Sequence, residues 1–314
     1  MLNSSNSKDE SLKIRVNLTE GNYLVQAIIN NNKNNEDNVT VKAQGRRVMA
    51  VKTISKILDN VEFTVNIANN ELVLDFYSNQ SLIKDIGIKK VDDVTVIYIA
   101  GDSTVCDQEK EPFTGWGQII PCFFTSNVAI ANYAYSGRST KSFIEEGRLD
   151  NIINRIREGD YLFIQFGHND QKEDSRHTEP YSTYKEMLKV YIDKAREKGA
   201  IPVLITPMHR RFFNENGKII NTLGQYPDAM RQLAKEENVF LIDLNEKSER
   251  LFNYYGPDGT KKLFIYASPG KYSDYPNDIE DNTHFSEFGA YEIARIVAKE
   301  IKNKIVLLKS YIKL

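Results

Sequence analysis

The hydrophobic period of this chain changes once, near residue 94, and that change constrains the fold more than any motif does. Before it, apolar residues alternate with polar ones. The runs are Leu12, Ile14, Val16 and Leu18; Tyr23, Val25, Ala27 and Ile29; Val39, Val41 and Ala43; Val61, Phe63, Val65 and Ile67; and Leu72, Leu74 and Phe76. A period of two marks strands with one buried and one wet face. The breaks are turn chemistry: Glu20-Gly21-Asn22, the polar stretch 30–35, and Asn69-Asn70 at hairpin length. Several short strands with no strong helix predict a β-sandwich of the jelly-roll kind over residues 11–91, behind a flexible tail at 1–10. Residues 89–93 read as a short polar link.

Beyond the change, continuous apolar runs at 94–100, 161–166, 201–205 and 239–242, with a weaker one at 128–134, belong in a sheet covered on both faces. Helical periods lie between them. Tyr184, Met187, Leu188, Tyr191, Ile192 and Ala195 repeat at three-and-four spacing and stop at Gly199. Met230, Leu233 and Ala234 follow Pro227, and Ala290, Ile293, Ala294, Val297, Ala298 and Ile301 form a last apolar stripe. This alternation predicts a doubly wound, flavodoxin-like α/β/α domain with a parallel sheet over residues 92–314.

Composition removes other classes. The 41 basic residues against 43 acidic ones give a net charge of −2, which offers no concentrated positive face for nucleic acid. With 41% hydrophobic residues the chain can build a core, and no apolar run approaches a membrane span. Residues 1–10 hold no apolar stretch, so a cytoplasmic location is expected, or secretion if a leader has been removed. Cys106 and Cys122 are too few for a disulfide framework and read as free thiols. Neither a zincin helix nor a phosphate-binding P-loop motif is present.

In an open parallel sheet the segments just past the strands' carboxyl ends share one edge, where ligands bind. Those segments are Gly101-Asp102-Ser103-Thr104, Ser136-Gly137-Arg138, Gly167-His168-Asn169-Asp170 and Pro207-Met208-His209-Arg210-Arg211, joined by Asp281-Asn282-Thr283-His284 before the last helix. The set suits acyl transfer. A serine hydroxyl needs a base, for which His284 is the candidate, and Asp281 on the same loop can orient and stabilise the imidazole. The oxyanion of a tetrahedral intermediate needs preorganised donors, each worth about 100- to 1,000-fold in rate. The backbone N–H groups of Ser103 and Gly137 and the Asn169 amide can supply three.

The blocks Gly101-Asp102-Ser103, Gly137, Gly167-His168-Asn169-Asp170 and Asp281-Asn282-Thr283-His284 resemble the SGNH (GDSL-like) hydrolase superfamily. Longer strings are similar to the rhamnogalacturonan acetylesterases of carbohydrate esterase family 12. They are Ile99-Ala100-Gly101-Asp102-Ser103-Thr104-Val105, Gly115-Trp116-Gly117-Gln118, the nine residues from Ile164 to Lys172, and the ten from Asp281 to Ala290. The resemblance runs through the second domain, and relatives also carry an N-terminal galactose-binding-like sandwich. It implies serine-dependent removal of acetyl esters from pectic rhamnogalacturonan, with no metal or other cofactor and an acetylated oligosaccharide as partner. Ser103 would be the nucleophile, Asp281 and His284 its triad partners, and Ser103, Gly137 and Asn169 the oxyanion hole.

Other residues keep two readings. Arg138, Arg210 and Arg211 are candidates to clamp a uronate carboxylate, or are merely solvated or salt-bridged. Tyr272 and Tyr275, in a long loop spanning 256–280, are candidates to stack on sugar rings, or form a packed surface lid. Asp170 reads as a helix cap, His168 as a satisfied structural histidine, and Cys106 as a buried filler. The first domain either binds sugar or shapes one wall of the cleft. Rival functions are an acetylesterase for xylan or another glycan, and a general short-chain esterase. More distant are a metallophosphoesterase, which would need an early Asp-x-His that is missing here, and a carbohydrate-binding protein without catalysis. Oligomeric state is not legible.

Overall fold

The computed structural model describes residues 11–31, 36–78 and 81–314. The tail expected at 1–10 and most of the polar stretch at 30–35 lie outside the described residues. Seven strands come first: β1 (Ser11–Asn17), β2 (Gly21–Asn30), β3 (Asp37–Ala43), β4 (Arg47–Ile54), β5 (Leu58–Ile67), β6 (Glu71–Tyr77) and β7 (Leu82–Lys90). They form a sheet of order β1-β6-β3-β4 and a second of order β5-β2-β7, antiparallel throughout. Val25, Ala27 and Phe63 from one sheet meet Val41, Leu74 and Phe76 from the other in a shared core.

Three expectations change here. Strands β4 and β7 were not legible. Val48 of β4 joins the core of the following domain while Met49 and Ala50 join the sandwich core, so both faces are apolar and the alternation vanishes. Asn69-Asn70 is not a hairpin turn, because β5 and β6 pair in different sheets and the turn crosses between them. Lys89 and Lys90 are the end of β7, paired with Leu24 and Tyr23, so the link is shorter than expected.

The remaining chain runs β8 (Thr95–Gly101), α1 (Trp116–Ile119), β9 (Val128–Asn132), α2 (Thr140–Glu145), α3 (Arg148–Ile153), β10 (Tyr161–Gln165), α4 (Lys185–Glu197), β11 (Ile201–Ile205), α5 (Tyr226–Glu236), β12 (Phe240–Ile242), α6 (Leu244–Gly259), β13 (Phe264–Ala267), β14 (Ile279–Phe285) and α7 (Glu287–Lys304). The main sheet is parallel, in the order β12-β11-β10-β8-β9. Both its faces are covered. Ile97, Ile99, Phe163 and Ile205 pack against α7 residues such as Ile293 and Val297, and Tyr98, Leu162 and Ile164 pack against Leu188, Tyr191 and Met230. Strand order reverses between β8 and β10, and a doubly wound fold opens its ligand crevice at that point, outside the strands' carboxyl ends. Among the described residues no helix is long and apolar enough to cross a membrane.

Ion pairs and shared apolar contacts dock the sandwich on this domain. Arg47 is 8% exposed and places Nη2 2.6 Å from Asp107 Oδ2; Lys42 Nζ lies 2.9 Å from Glu287 at the start of α7.

Candidate active site

Ser103 follows β8 and Asn169 follows β10, so the reversal of strand order brings them to one crevice. The turn after β8 is braced from within. The Asp102 carbonyl accepts from Val105 and Cys106 N–H, and Asp102 Oδ1 accepts from the N–H and hydroxyl of Thr104. Asp102 is fully buried, and its Oδ2 stands 3.2 Å from His168 Nδ1 while His168 Nε2 lies 3.0 Å from the Met208 carbonyl. Burial pushes the Asp102 carboxyl up, but the charge and hydrogen bond of His168 and the Thr104 donors outweigh it and hold it low. His168 is thus a buried brace between the segments after β8, β10 and β11.

His284 reaches Ser103 from the other side of the crevice. Its Nε2 is 2.9 Å from Ser103 Oγ, and its Nδ1 is 2.7 Å from Asp281 Oδ2. Asp281 Oδ1 accepts the backbone N–H groups of Thr283 and His284 at 2.7 and 2.8 Å. Burial raises the Asp281 carboxyl, while the His284 ring and these N–H groups lower it further, leaving it below the usual carboxylate range. The sequence reading put this pair on a loop; the structure puts it on β14. Asp281 pairs with Ile265 and Phe285 with Phe264, so Asn282, Thr283 and His284 bulge out of the ladder. A bulge re-aims side chains that a regular strand would alternate. The start of α7 then locks the strand end: a Cβ on Gly289 would fall 1.8 Å from the Leu263 carbonyl oxygen, so only glycine permits the contact.

The three expected donors converge at the same edge. Gly137 has φ +80°, a left-handed conformation that suits glycine. Among the described residues neither the Ser103 nor the Gly137 backbone N–H has a protein acceptor. Asn169 is 4% exposed, and its Nδ2 donates one hydrogen to the Arg138 carbonyl at 3.0 Å, leaving the second available. Arg138 Nη1 donates to the Ser136 carbonyl, the far end of the peptide that carries the Gly137 N–H. Arg176 Nη1 donates to the Gly137 carbonyl. Nothing in the sequence singles out Arg176, which sits in a polar loop.

The three arginine candidates divide. Arg211 points inward: it donates to Thr260 Oγ1, Tyr266 Oη, Asn282 Oδ1 and the Pro257 carbonyl. Arg210 directs both terminal nitrogens to Thr222 and the His168 carbonyl. Both direct donors to protein acceptors: they tie the loops after β10 and β11 together and hold the bulge through Asn282. Arg138 stays at the rim, pairing with Glu146 at 2.9 Å and lying over the Tyr135 ring.

The first half of the long 256–280 loop is in fact structured, by the end of α6, a 3₁₀ turn (Thr260–Leu263) and β13. Tyr272 and Tyr275 sit in its remaining irregular part, joined by the Tyr275 N–H to the Tyr272 carbonyl. The Tyr275 ring meets Phe113 edge-on at 5.6 Å, and Phe113 meets His284 edge-on at 5.5 Å. Asp170 caps a helix distant in sequence: its Oδ1 accepts from the N–H and hydroxyl of Thr140 at the start of α2. Cys106 is buried with its thiol pushed far up by burial, an inert filler. No group of three or more His, Cys, Asp or Glu side chains converges as a metal site among the described residues.

A relay of carboxylate, imidazole and serine on a doubly wound sheet defines a serine hydrolase type of site. The GDSL-like lipase/acylhydrolase family model matches residues 97–297, and the chain belongs to that family. It is similar to the rhamnogalacturonan acetylesterase RhgT of Bacillus subtilis, with 50% identity over 69% of this chain and 93% of that one. The probable rhamnogalacturonan acetylesterase YesY of the same organism is 46% identical over 66% of this chain and 92% of its own length. The crystal structure of Bacillus subtilis YxiM aligns with a TM-score of 0.60 and 27% identity, over 92% of this chain and 79% of that one. That coverage takes in N-terminal strands as well as the hydrolase domain.

Proposed function

We propose that this chain is a serine carbohydrate esterase that removes acetyl groups from pectic rhamnogalacturonan oligosaccharides. One observation carries the mechanism: His284 stands between Ser103 Oγ and Asp281, at 2.9 and 2.7 Å, in hydrogen-bond reach of both. Ser103 Oγ attacks the acetyl carbonyl while His284 Nε2 takes its proton. Asp281 stabilises the imidazolium. The Ser103 and Gly137 N–H groups and the free Asn169 hydrogen receive the oxyanion. Collapse of the intermediate breaks the ester C–O bond, and the departing sugar oxygen takes the proton from His284. Water, deprotonated by His284, then attacks the acetyl-enzyme; the bond to Ser103 Oγ breaks, Oγ takes the proton back from His284, and acetate leaves.

The substrate reading rests on the 50% identity to RhgT, whose name states that activity. Of the arginines, Arg138, whose guanidinium pairs with Glu146, is the one proposed to meet a uronate carboxylate; Tyr275, linked to His284 through the Phe113 ring, and Tyr272 next to it are proposed to meet a sugar ring. The test is acetate release from acetylated rhamnogalacturonan oligosaccharides, with acetylated xylan beside it and Ser103→Ala as control. Release from the pectic substrate alone, abolished by Ser103→Ala, is the expected result. Equal release from xylan overturns the substrate, and release that persists in Ser103→Ala overturns the mechanism.

A further inference from the structure

The segment Asp107–Thr114 runs between the nucleophile and the base and touches both. At its start, Gln108 Nε2 donates to the Ser103 carbonyl at 2.7 Å. Near its end, the Phe113 ring stands edge-on to His284, and the next residue, Thr114, donates its N–H to the Phe285 carbonyl at 3.0 Å, one residue past His284. This strap is neither helix nor strand, so its own backbone ladder does not hold it. Its anchors come from both domains: within its own, Gln118 Oε1 accepts from the Gln108 N–H at 3.2 Å and Asn132 Nδ2 donates to Asp107 Oδ1 at 2.8 Å, and the sandwich adds two arginines. The turn between β3 and β4 presents Arg46, whose Nη1 donates to the Phe113 carbonyl at 2.7 Å and the Gln108 carbonyl at 3.2 Å, while Nη2 donates to Thr114 Oγ1 at 3.2 Å. Arg47 holds Asp107 at the strap's first residue.

We infer that Arg46 is a positioning residue for the hydrolytic reaction: the N-terminal sandwich uses it to clamp the strap that sets the distance between Ser103 and His284. One guanidinium grips the two strap residues that contact the catalytic pair, and a planar fork with five donors suits that task. The sandwich is then a working part of the active site, independent of any sugar binding. Catalytic geometry is sensitive to such a device, because a displacement of about 1 Å can lower the rate about 100-fold. The inference rests on the esterase reading above, with Ser103 as nucleophile and His284 as base.

The test uses the full chain and four proteins: wild type, Arg46→Ala, Arg46→Lys and Lys42→Met. Lys42→Met breaks another bridge between the domains, to Glu287, without touching the strap. Each is measured for kcat and KM on a small acetyl ester, for the rate of Ser103 labelling by an organophosphate, and for Tm. The inference expects Arg46→Ala to lower kcat and the labelling rate about 10- to 100-fold with KM within twofold. It expects Arg46→Lys to recover part of both, and Lys42→Met to match wild type. Arg46→Ala within twofold of wild type, or a fall shared by Lys42→Met, overturns it. If Arg46→Ala does not fold, Gln108→Leu replaces it and must show the same split between kcat and KM; its absence overturns the inference. Wild type that is not labelled at Ser103 instead overturns the esterase reading itself.

Discussion

Asn169 Nδ2 donates to the Arg138 carbonyl at 3.0 Å, so the segment after β10 is tied to the segment after β9, with one amide hydrogen held and the other left for a further acceptor. The orientation of the amide is therefore set before any substrate arrives, as preorganised electrostatic stabilisation requires. Asn169→Ala is expected to lower kcat about 100- to 1,000-fold and to change KM little. The fold should persist, at a cost of about 1 kcal/mol for the lost hydrogen bond. Steady-state kinetics and urea unfolding check this; an unfolded or fully active variant counts against the oxyanion role.

Asp281 holds His284 through Nδ1 and also accepts two backbone N–H groups. Asp281→Asn preserves the size of the side chain but presents an amide that favours the wrong imidazole tautomer. The expected fall in kcat near neutral pH is about 10,000-fold, with near-native circular dichroism. A loss below tenfold would remove Asp281 from the relay.

Asp170 is buried with Oδ2 unpartnered, and desolvation pushes its carboxyl up to about 7 in spite of the Thr140 and Thr178 hydrogen bonds. The unfolded chain releases this proton near the ordinary carboxylate value of about 4, whereas the folded chain keeps it to about 7. Between those values the native state binds more protons, so stability falls as pH rises, by on the order of a few kcal/mol, and then levels off. Asp170→Asn keeps the Oδ1 acceptor and removes the titration. The difference in unfolding free energy, wild type minus Asp170→Asn, should therefore decline from pH 4 to pH 7.5. A constant difference would mean that Asp170 ionises as an ordinary aspartate.

Arg211 gives four of its five donors to protein acceptors, including Asn282 in the bulge of β14. Arg211→Met is expected to lower stability by about 1–3 kcal/mol through the buried acceptors it abandons. Its KM should move equally for uronate-bearing and neutral acetylated substrates. A KM increase confined to uronate substrates would instead support the carboxylate clamp read from the sequence.

Much of the site was legible in the sequence because its chemistry sits in short blocks at strand ends, and a parallel sheet aligns those ends whatever the loops do. Ser103, Gly137 and Asn169 could each be placed at one edge from the strand pattern, and Asp281 and His284 beside them only from their place before the last helix. What resisted reading has specific causes. β4 hides because two cores bury its two faces. The bulge carrying His284 hides because it is defined by the pairing of Phe285 with Phe264 and of Asp281 with Ile265, partners 21 and 16 positions away. Arg210 and Arg211 look like surface cations in sequence, yet their acceptors are backbone carbonyls and side chains brought in by three other segments.

The sequence by itself determined the two architectures and the order of the catalytic blocks, since hydrophobic period and turn chemistry are local properties of the chain. Only the tertiary structure decided which face of the hydrolase domain the sandwich covers, and hence that Arg46 grips the Asp107–Thr114 strap across 62 to 68 positions of sequence. The reason is physical: a guanidinium selects its acceptors by distance and direction in space, and spacing along the chain carries no record of either.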